Sequence, residues 1–300
     1  MVDFLKELPR LFVKRYLNTH GVYLKSIADI IAGTYHTVMG KATEKTASNM
    51  VKTLLSNKAK ILKKKQNPPY ETLEFRNLRN CWYHECALNY PIEDLDERLK
   101  FASWKIIECY YAVFSSIAAL VRCWETREIK THNKMINIYA MKFLRNSKQK
   151  MFVLPPTNLH LNQQGSIPND VLNMISWEYA HEYHIPNIEK ALNSIRKGSN
   201  ITTIPHYLKS LREWATYQDA YLLIRLYGEK VKKDLDFSLN LIAFIYCLQT
   251  EYYLIELYGW DSFEIQYNIF ISQLEDNLGV TSQTLKTRFN AYIDLDLPKK

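Results

Sequence analysis

Glycine and proline are scarce in this chain: 300 residues hold 8 Gly and 10 Pro, too few for the closely spaced tight turns of a β-sandwich or barrel of this length. Helices are therefore expected to dominate. The five cysteines, Cys81, Cys86, Cys109, Cys123 and Cys247, are odd in number and scattered, which suggests no disulfide framework and fits reduced thiols in a cytoplasm. Cys81, His84 and Cys86 stand close enough to raise the question of a metal, but no second cluster completes a tetrahedral site, so neither a metal nor a cofactor is expected. Long apolar runs are missing too. The longest, 110–121 and 239–248, stop well short of the roughly 20 residues that span a bilayer and read as core helices. Lys6, Glu7, Arg10, Lys14 and Arg15 break up the start of the chain where a signal peptide would carry its apolar stretch, so a cytoplasmic protein with no membrane partner is expected. A phosphate-binding glycine loop, a nucleophile elbow and a zinc-protease helix are absent as well, which argues against nucleotide hydrolysis and ordinary hydrolase chemistry.

What the chain does have is 47% hydrophobic residues, enough to bury a substantial core in one large or two ordinary domains. Apolar residues recur at helical spacing over 4–17, 24–32, 44–58, 99–124, 133–144, 188–196, 204–227, 235–257 and 263–278, and Thr281 or Ser282 suits the cap of a last short helix. In the fourth of these, Ala102, Ile106, Tyr110, Val113, Ile117 and Leu120 form one continuous stripe. The clearest internal break is 152–170, with Pro155-Pro156, Gln163-Gln164-Gly165 and Pro168. The expected organisation is mainly α: a basic module over 1–75, a connecting segment over 76–98, a helical bundle over 99–279 interrupted near 148–185, and a C-terminal helix and tail over 280–300.

Charge is unevenly placed. Residues 1–65 hold 13 Lys or Arg against 4 Asp or Glu, whereas the remainder holds 26 against 27. A field concentrated on one segment attracts phosphate-rich polymers, although a lysine-rich helical face also serves solubility alone. Three short helices followed by the basic stretch 59–73 keep the order of a winged helix-turn-helix, and 26–55 loosely resembles that module. The resemblance implies Lys45, Ser48, Asn49 and Lys52 directed at a major groove, and Lys58, Lys60, Lys63, Lys64 and Lys65 at phosphates, on DNA or RNA.

A second resemblance rests on three segments: YYAVFSSIAAL at 110–120, KTHNKMINIYAMKFL at 130–144 and LREWATYQDAY at 211–221. Together they resemble the HEPN superfamily, in which a Tyr-Tyr-Ala-x-Phe helix precedes a Lys-Thr-His turn and, later, an Arg-Glu-x-Ala-x-Tyr segment. The resemblance spans about 95–260. It implies an antiparallel bundle of helices that commonly dimerises, and a place in prokaryotic defence, toxin–antitoxin pairs or RNA processing. For many members it also implies metal-independent RNA cleavage by an Arg and a His spaced five to seven residues apart. The underlying chemistry is general: an imidazole moves a proton near neutral pH, and a guanidinium stabilises charge developing on phosphorus.

The sequence contains that spacing at Arg15 and His20, at Arg79 and His84, and at Arg127 and His132. Arg79-Asn80-Cys81-Trp82-Tyr83-His84 is nearest to the family in composition because Asn80 follows the arginine, yet it precedes the Tyr-Tyr-Ala helix. Arg127 with His132 is the second candidate pair. Where the resemblance places the family's pair, Arg212 is followed by Tyr217, and a phenol with a pKa of about 10 is a poor proton shuttle at neutral pH. Tyr110, Tyr111, Phe114 and Tyr217 are expected to pack in the core.

Three functions fit these observations. The first is a nucleic-acid-binding protein whose bundle serves homodimerisation or the docking of a second protein. Next comes a metal-independent endoribonuclease, and last a structural subunit that binds another protein through an aromatic surface.

Overall fold

The computed structural model describes residues 72–90, 102–123, 125, 129, 131–140, 153–154, 202–217, 229–278 and 283–295. Among them seven helices run in chain order: α1 (Leu73–Leu88), α2 (Ala102–Arg122), α3 (His132–Ile138), α4 (Ile204–Tyr217), α5 (Glu229–Tyr258), α6 (Trp260–Leu278) and α7 (Gln283–Asp294). Two-residue strands β1 (Val153–Leu154) and β2 (Thr202–Thr203) pair antiparallel, Val153 opposite Thr203. The described protein is mainly helical, in agreement with the scarcity of turn residues.

The fold divides into two compact units. Among the described residues, 102–110, 153–154, 202–217 and 229–239 belong to the first, and 72–90, 111–140, 240–278 and 283–295 to the second. Both α2 and α5 supply residues to each.

In the first unit the N-terminal part of α2 meets the start of α5. Lys105 Nζ lies 3.0 Å from Asp236 Oδ2, and the Cys109 thiol donates to the Leu239 carbonyl at 3.4 Å. The Arg212 guanidinium of α4 covers the Tyr110 ring at 5.1 Å, a cation held on a ring quadrupole. Pro205 sits in the first turn of α4, where its missing N–H removes no intrahelical bond. His206 follows, and burial, with Lys209 adding to it, pushes its pKa down to about 4.

The second unit is built on helical stripes. In α1 the buried residues Phe75, Leu78, Trp82, Glu85 and Cys86 recur every three or four positions, the spacing that lines one helix face. Trp82 is fully buried against three rings of α6, Phe263 at 5.9 Å, Tyr267 at 6.3 Å and Phe270 at 5.3 Å between centroids. Phe289 of α7 stacks on Tyr267 at 3.9 Å. From 241 to 248 every residue of α5 is buried, as expected of a central helix that is apolar all round.

Single residues end these helices. Gly259 adopts φ 88° between α5 and α6, and its N–H reaches the Ile255 carbonyl at 2.8 Å; the left-handed conformation suits glycine because it has no Cβ. Thr72 caps α1, its hydroxyl accepting from the Phe75 N–H.

Several boundaries differ from those the pattern suggests. Residues 73–88, which straddle the end of the basic module expected over 1–75 and the start of the connecting segment expected over 76–98, form four turns of helix. α5 begins at Glu229 rather than near 235, because Glu and Lys sustain a helix without contributing to an apolar stripe. α3 is seven residues long, and the rest of the helix expected over 133–144, beyond residue 140, lies outside the described residues. Residues 1–71 of the basic module expected over 1–75, the helix expected at 188–196 and most of the break at 152–170 also lie outside them.

Among the described residues one helical stretch, Ser103–Arg122, is long and apolar enough to cross a bilayer by length and composition, and 78% of its apolar window is buried. The cysteines Cys81, Cys86, Cys109, Cys123 and Cys247 are buried free thiols.

Candidate functional site

Of the residues singled out in the sequence, Arg79, Asn80, His84 and His132 fall within the described protein. Arg127 and the basic positions Lys45, Ser48, Asn49, Lys52, Lys58, Lys60, Lys63, Lys64 and Lys65 lie outside it, as do Arg15 and His20.

Arg79 and His84 both stand on α1, five residues apart, which turns their side chains about 140° from each other around the helix axis. They accordingly meet different neighbours. Arg79 Nη1 donates to Gln266 Oε1 on α6, while the His84 ring stacks on Tyr111 of α2 with centroids 5.4 Å apart and planes 25° from parallel.

His132 reaches the same tyrosine from another helix. Thr131 caps α3, its hydroxyl accepting from the Lys134 N–H at 3.4 Å, which holds His132 as the first helical residue. From there the imidazole meets Tyr111 edge-on at 6.3 Å and stacks on Phe114 at 4.0 Å. Two histidines 48 positions apart in sequence thus converge on one ring of α2. Tyr111 and Phe114, expected in the core, are only partly buried, as are both imidazoles, whereas Tyr110 is fully buried.

The outer end of this row is Tyr83, which is 53% exposed and stands edge-on to His84 at 5.8 Å. Tyr83 shares its face of α1 with Asn80 three residues before it and Arg76 seven before it, and both are exposed. A cation, an amide, a phenol and an imidazole therefore line one solvent-facing stripe of α1. Chemically, the stripe and the row offer a flat ring for stacking and a positive charge for an anionic group. Sequence spacing points to the two histidines separately; it misses Arg76, Tyr83 and the linking role of Tyr111, since the convergence depends on tertiary packing.

A second polar cluster lies deep in the same unit. Arg288 of α7 donates to Glu85 of α1 at 2.5 and 2.6 Å and to Glu251 of α5 at 2.8 to 3.1 Å. Trp82 Nε1 donates to Glu251 at 2.6 Å, and the Tyr292 hydroxyl donates to the other Glu251 oxygen. All five side chains are fully buried. Burial pushes Glu85 above the usual carboxylate range against the opposing pull of Arg288. For Arg288 burial acts downward, yet Glu251 and Glu85 hold its pKa well above the ordinary value. Burial and the Glu251 charge raise the Tyr292 phenol. With two carboxylates bonded to one guanidinium and shut away from water, the cluster ties α1, α5 and α7 together and has no opening for a substrate.

Near it, Cys81 Sγ lies 2.9 Å from Ser116 Oγ, and that hydroxyl lies 3.9 Å from Cys247 Sγ. Burial, followed by the neighbouring Cys81, raises the Cys247 thiol well above its ordinary value, which keeps it protonated and unreactive. No group of three potential metal ligands gathers among the described residues.

Compared with protein-family models, with characterised proteins and with solved structures, the chain matches none.

Proposed function

We propose that this is a cytoplasmic nucleic-acid-binding protein of HEPN-like type, in which a basic N-terminal module of winged-helix character holds DNA or RNA and the helical bundle serves homodimerisation or the docking of a second protein. A prokaryotic defence or toxin–antitoxin setting suits that combination. The observation that carries the reading is the gathering of 13 Lys or Arg against 4 Asp or Glu within residues 1–65, beside a nearly neutral remainder. Positive charge so concentrated favours polyanions through release of their condensed counterions. The HEPN-like part draws support from YYAVFSSIAAL falling on α2 and from Thr131 capping α3 directly before His132.

Fluorescence anisotropy with a single-stranded RNA and a DNA duplex across a salt series tests the reading. Affinity is expected to fall linearly on a log–log plot, and replacing Lys63, Lys64 and Lys65 together by Gln should lower the slope by about one for each phosphate no longer neutralised. A flat salt response, or no binding at low salt, overturns it.

A further inference from the structure

We propose that the outward face of α1 is a dimer interface, on which a second copy of this chain packs its own α1 antiparallel about a two-fold axis level with the Cys81–Trp82 peptide. The inference rests on the homodimerisation named under the proposed function and gives it a face, an orientation and a strength. Its ground is a stripe of six positions, Leu73, Arg76, Asn80, Tyr83, Ala87 and Tyr90, alternately three and four residues apart. They fall within an arc of about 100° around the helix axis, opposite the buried face that carries Phe75, Leu78, Trp82 and Cys86. Tyr90 lies just past the end of α1, where its N–H still reaches the Ala87 carbonyl at 3.2 Å.

The composition of this face is that of an interface core. Leu73, Tyr83 and Tyr90 are 54%, 53% and 53% exposed, half of the large apolar side chains so exposed among the described residues. Arg76 and Asn80 are exposed beside them, Ala87 is partly buried, and the stripe holds no Lys, Asp or Glu. Tyrosine and arginine are enriched where proteins meet, and lysine and carboxylates are depleted there. The outer faces of α6 and α7, by contrast, carry Asp261, Asn268, Glu275 and Asp294, as solvated helices do. A polyanion fits the stripe poorly: over its length of about 26 Å a nucleic-acid strand presents about seven phosphates, against the single charge of Arg76.

A second α1 fits it in one direction. Antiparallel pairing sets Leu73 opposite Tyr90 of the second copy, Asn80 opposite its Tyr83 and Arg76 opposite its Ala87, and each pair recurs across the axis, as a two-fold contact requires. An aliphatic chain meets an aromatic ring, an amide meets a phenol, and the small alanine leaves room for the arginine stem, whose guanidinium reaches the flanking tyrosine faces. The two Arg76 charges then stand 11 positions apart along the axis, about 17 Å, beyond the screening length of about 8 Å at physiological salt. Parallel pairing instead brings Arg76 against Arg76 across helices about 8 to 10 Å apart. Contact along one short helix is smaller than a standard interface, so the association is reversible and micromolar.

The test is sedimentation velocity of the full chain, stripped of nucleic acid, from sub-micromolar to high-micromolar concentration at low and high salt. The expected result is a monomer–dimer equilibrium with a micromolar Kd that salt leaves in place, weakened about tenfold or more in both Tyr83→Ala and Tyr90→Ala with the thermal midpoint unchanged. A short bismaleimide reads the orientation, since the native cysteines at 81, 86, 109, 123 and 247 are buried. Leu73→Cys and Tyr90→Cys chains should cross-link when mixed and not alone, because each position stands about 26 Å from its own copy. A monomer at every concentration, a dimer that both tyrosine variants leave intact, or Leu73→Cys linking to itself overturns the proposal. A monomer whose affinity for single-stranded RNA falls in Tyr83→Ala overturns it in favour of nucleic acid on this face. Dimerisation through another face overturns it while homodimerisation stands, and the nucleic-acid-binding reading is judged separately by its salt series.

Discussion

Glu85 and Glu251 bind the same guanidinium, yet they are not equivalent. Glu251 also accepts from Trp82 and Tyr292, whereas Arg288 is the main partner of Glu85, whose pKa burial raises. Glu251→Gln should therefore destabilise by about 3 kcal/mol or more, because buried donors lose an acceptor and two of the cluster's charges no longer cancel. Glu85→Gln should cost markedly less, since Glu251 still pairs the Arg288 guanidinium and keeps its bonds to Trp82 and Tyr292; urea unfolding of the two variants at neutral pH compares them. The linkage has a definite sign. Glu85 binds its proton more tightly in the fold, so its contribution is fully present below the unfolded carboxyl value and declines as pH rises through the raised one. His206 behaves oppositely. Its pKa is pushed down to about 4, so the unfolded chain takes up the proton first and stability falls as pH drops from the ordinary imidazole value of about 6.5 towards 4. In His206→Gln the unfolding midpoint should change less over that window than in the parent protein.

At the scale of elements, caps and stripes decide where helices stand. Thr131→Ala removes the hydroxyl that accepts from the Lys134 N–H and should cost about 1 kcal/mol, seen as a lower thermal midpoint together with a shift of the His132 ring resonances. The stripe of α2 is legible in the sequence alone: Ile106, Tyr110, Val113, Ile117 and Leu120, which share one helical face by spacing, are each no more than 1% exposed. α1 is not legible in that way. Its buried face includes Glu74 and Glu85, which a hydrophobic pattern assigns to solvent, and distant partners, Tyr258 for the first and Arg288 for the second, help make their burial tolerable. The candidate site is half legible for a similar reason. Spacing pairs each histidine with an arginine five residues earlier, but the packing pairs the histidines through Tyr111, a relation no local pattern encodes.

Across the whole molecule, α7 has more bearing on the second unit than its 12 residues suggest. It carries Arg288, Tyr292 and Phe289, which bind α1, α5 and α6. A chain ending at residue 282 would leave Glu85 and Glu251 buried without their cation. Such a truncation is expected to lose cooperative thermal unfolding and to expose Trp82, which a red-shifted tryptophan emission would report. Removing the lysines at 63–65 acts on a different property: it should weaken polyanion binding and leave the melting transition in place.

The corner at Gly259 has an evolutionary corollary. Because one residue joins α5 to α6, an insertion there has no loop to absorb it, and each added helical residue would rotate α6 by about 100° about its axis. Phe263, Tyr267 and Phe270 would turn off the indole they enclose. Chain length at this corner is thus under as tight a constraint as any core side chain, and homologues should keep a single residue, glycine above all, between the two helices.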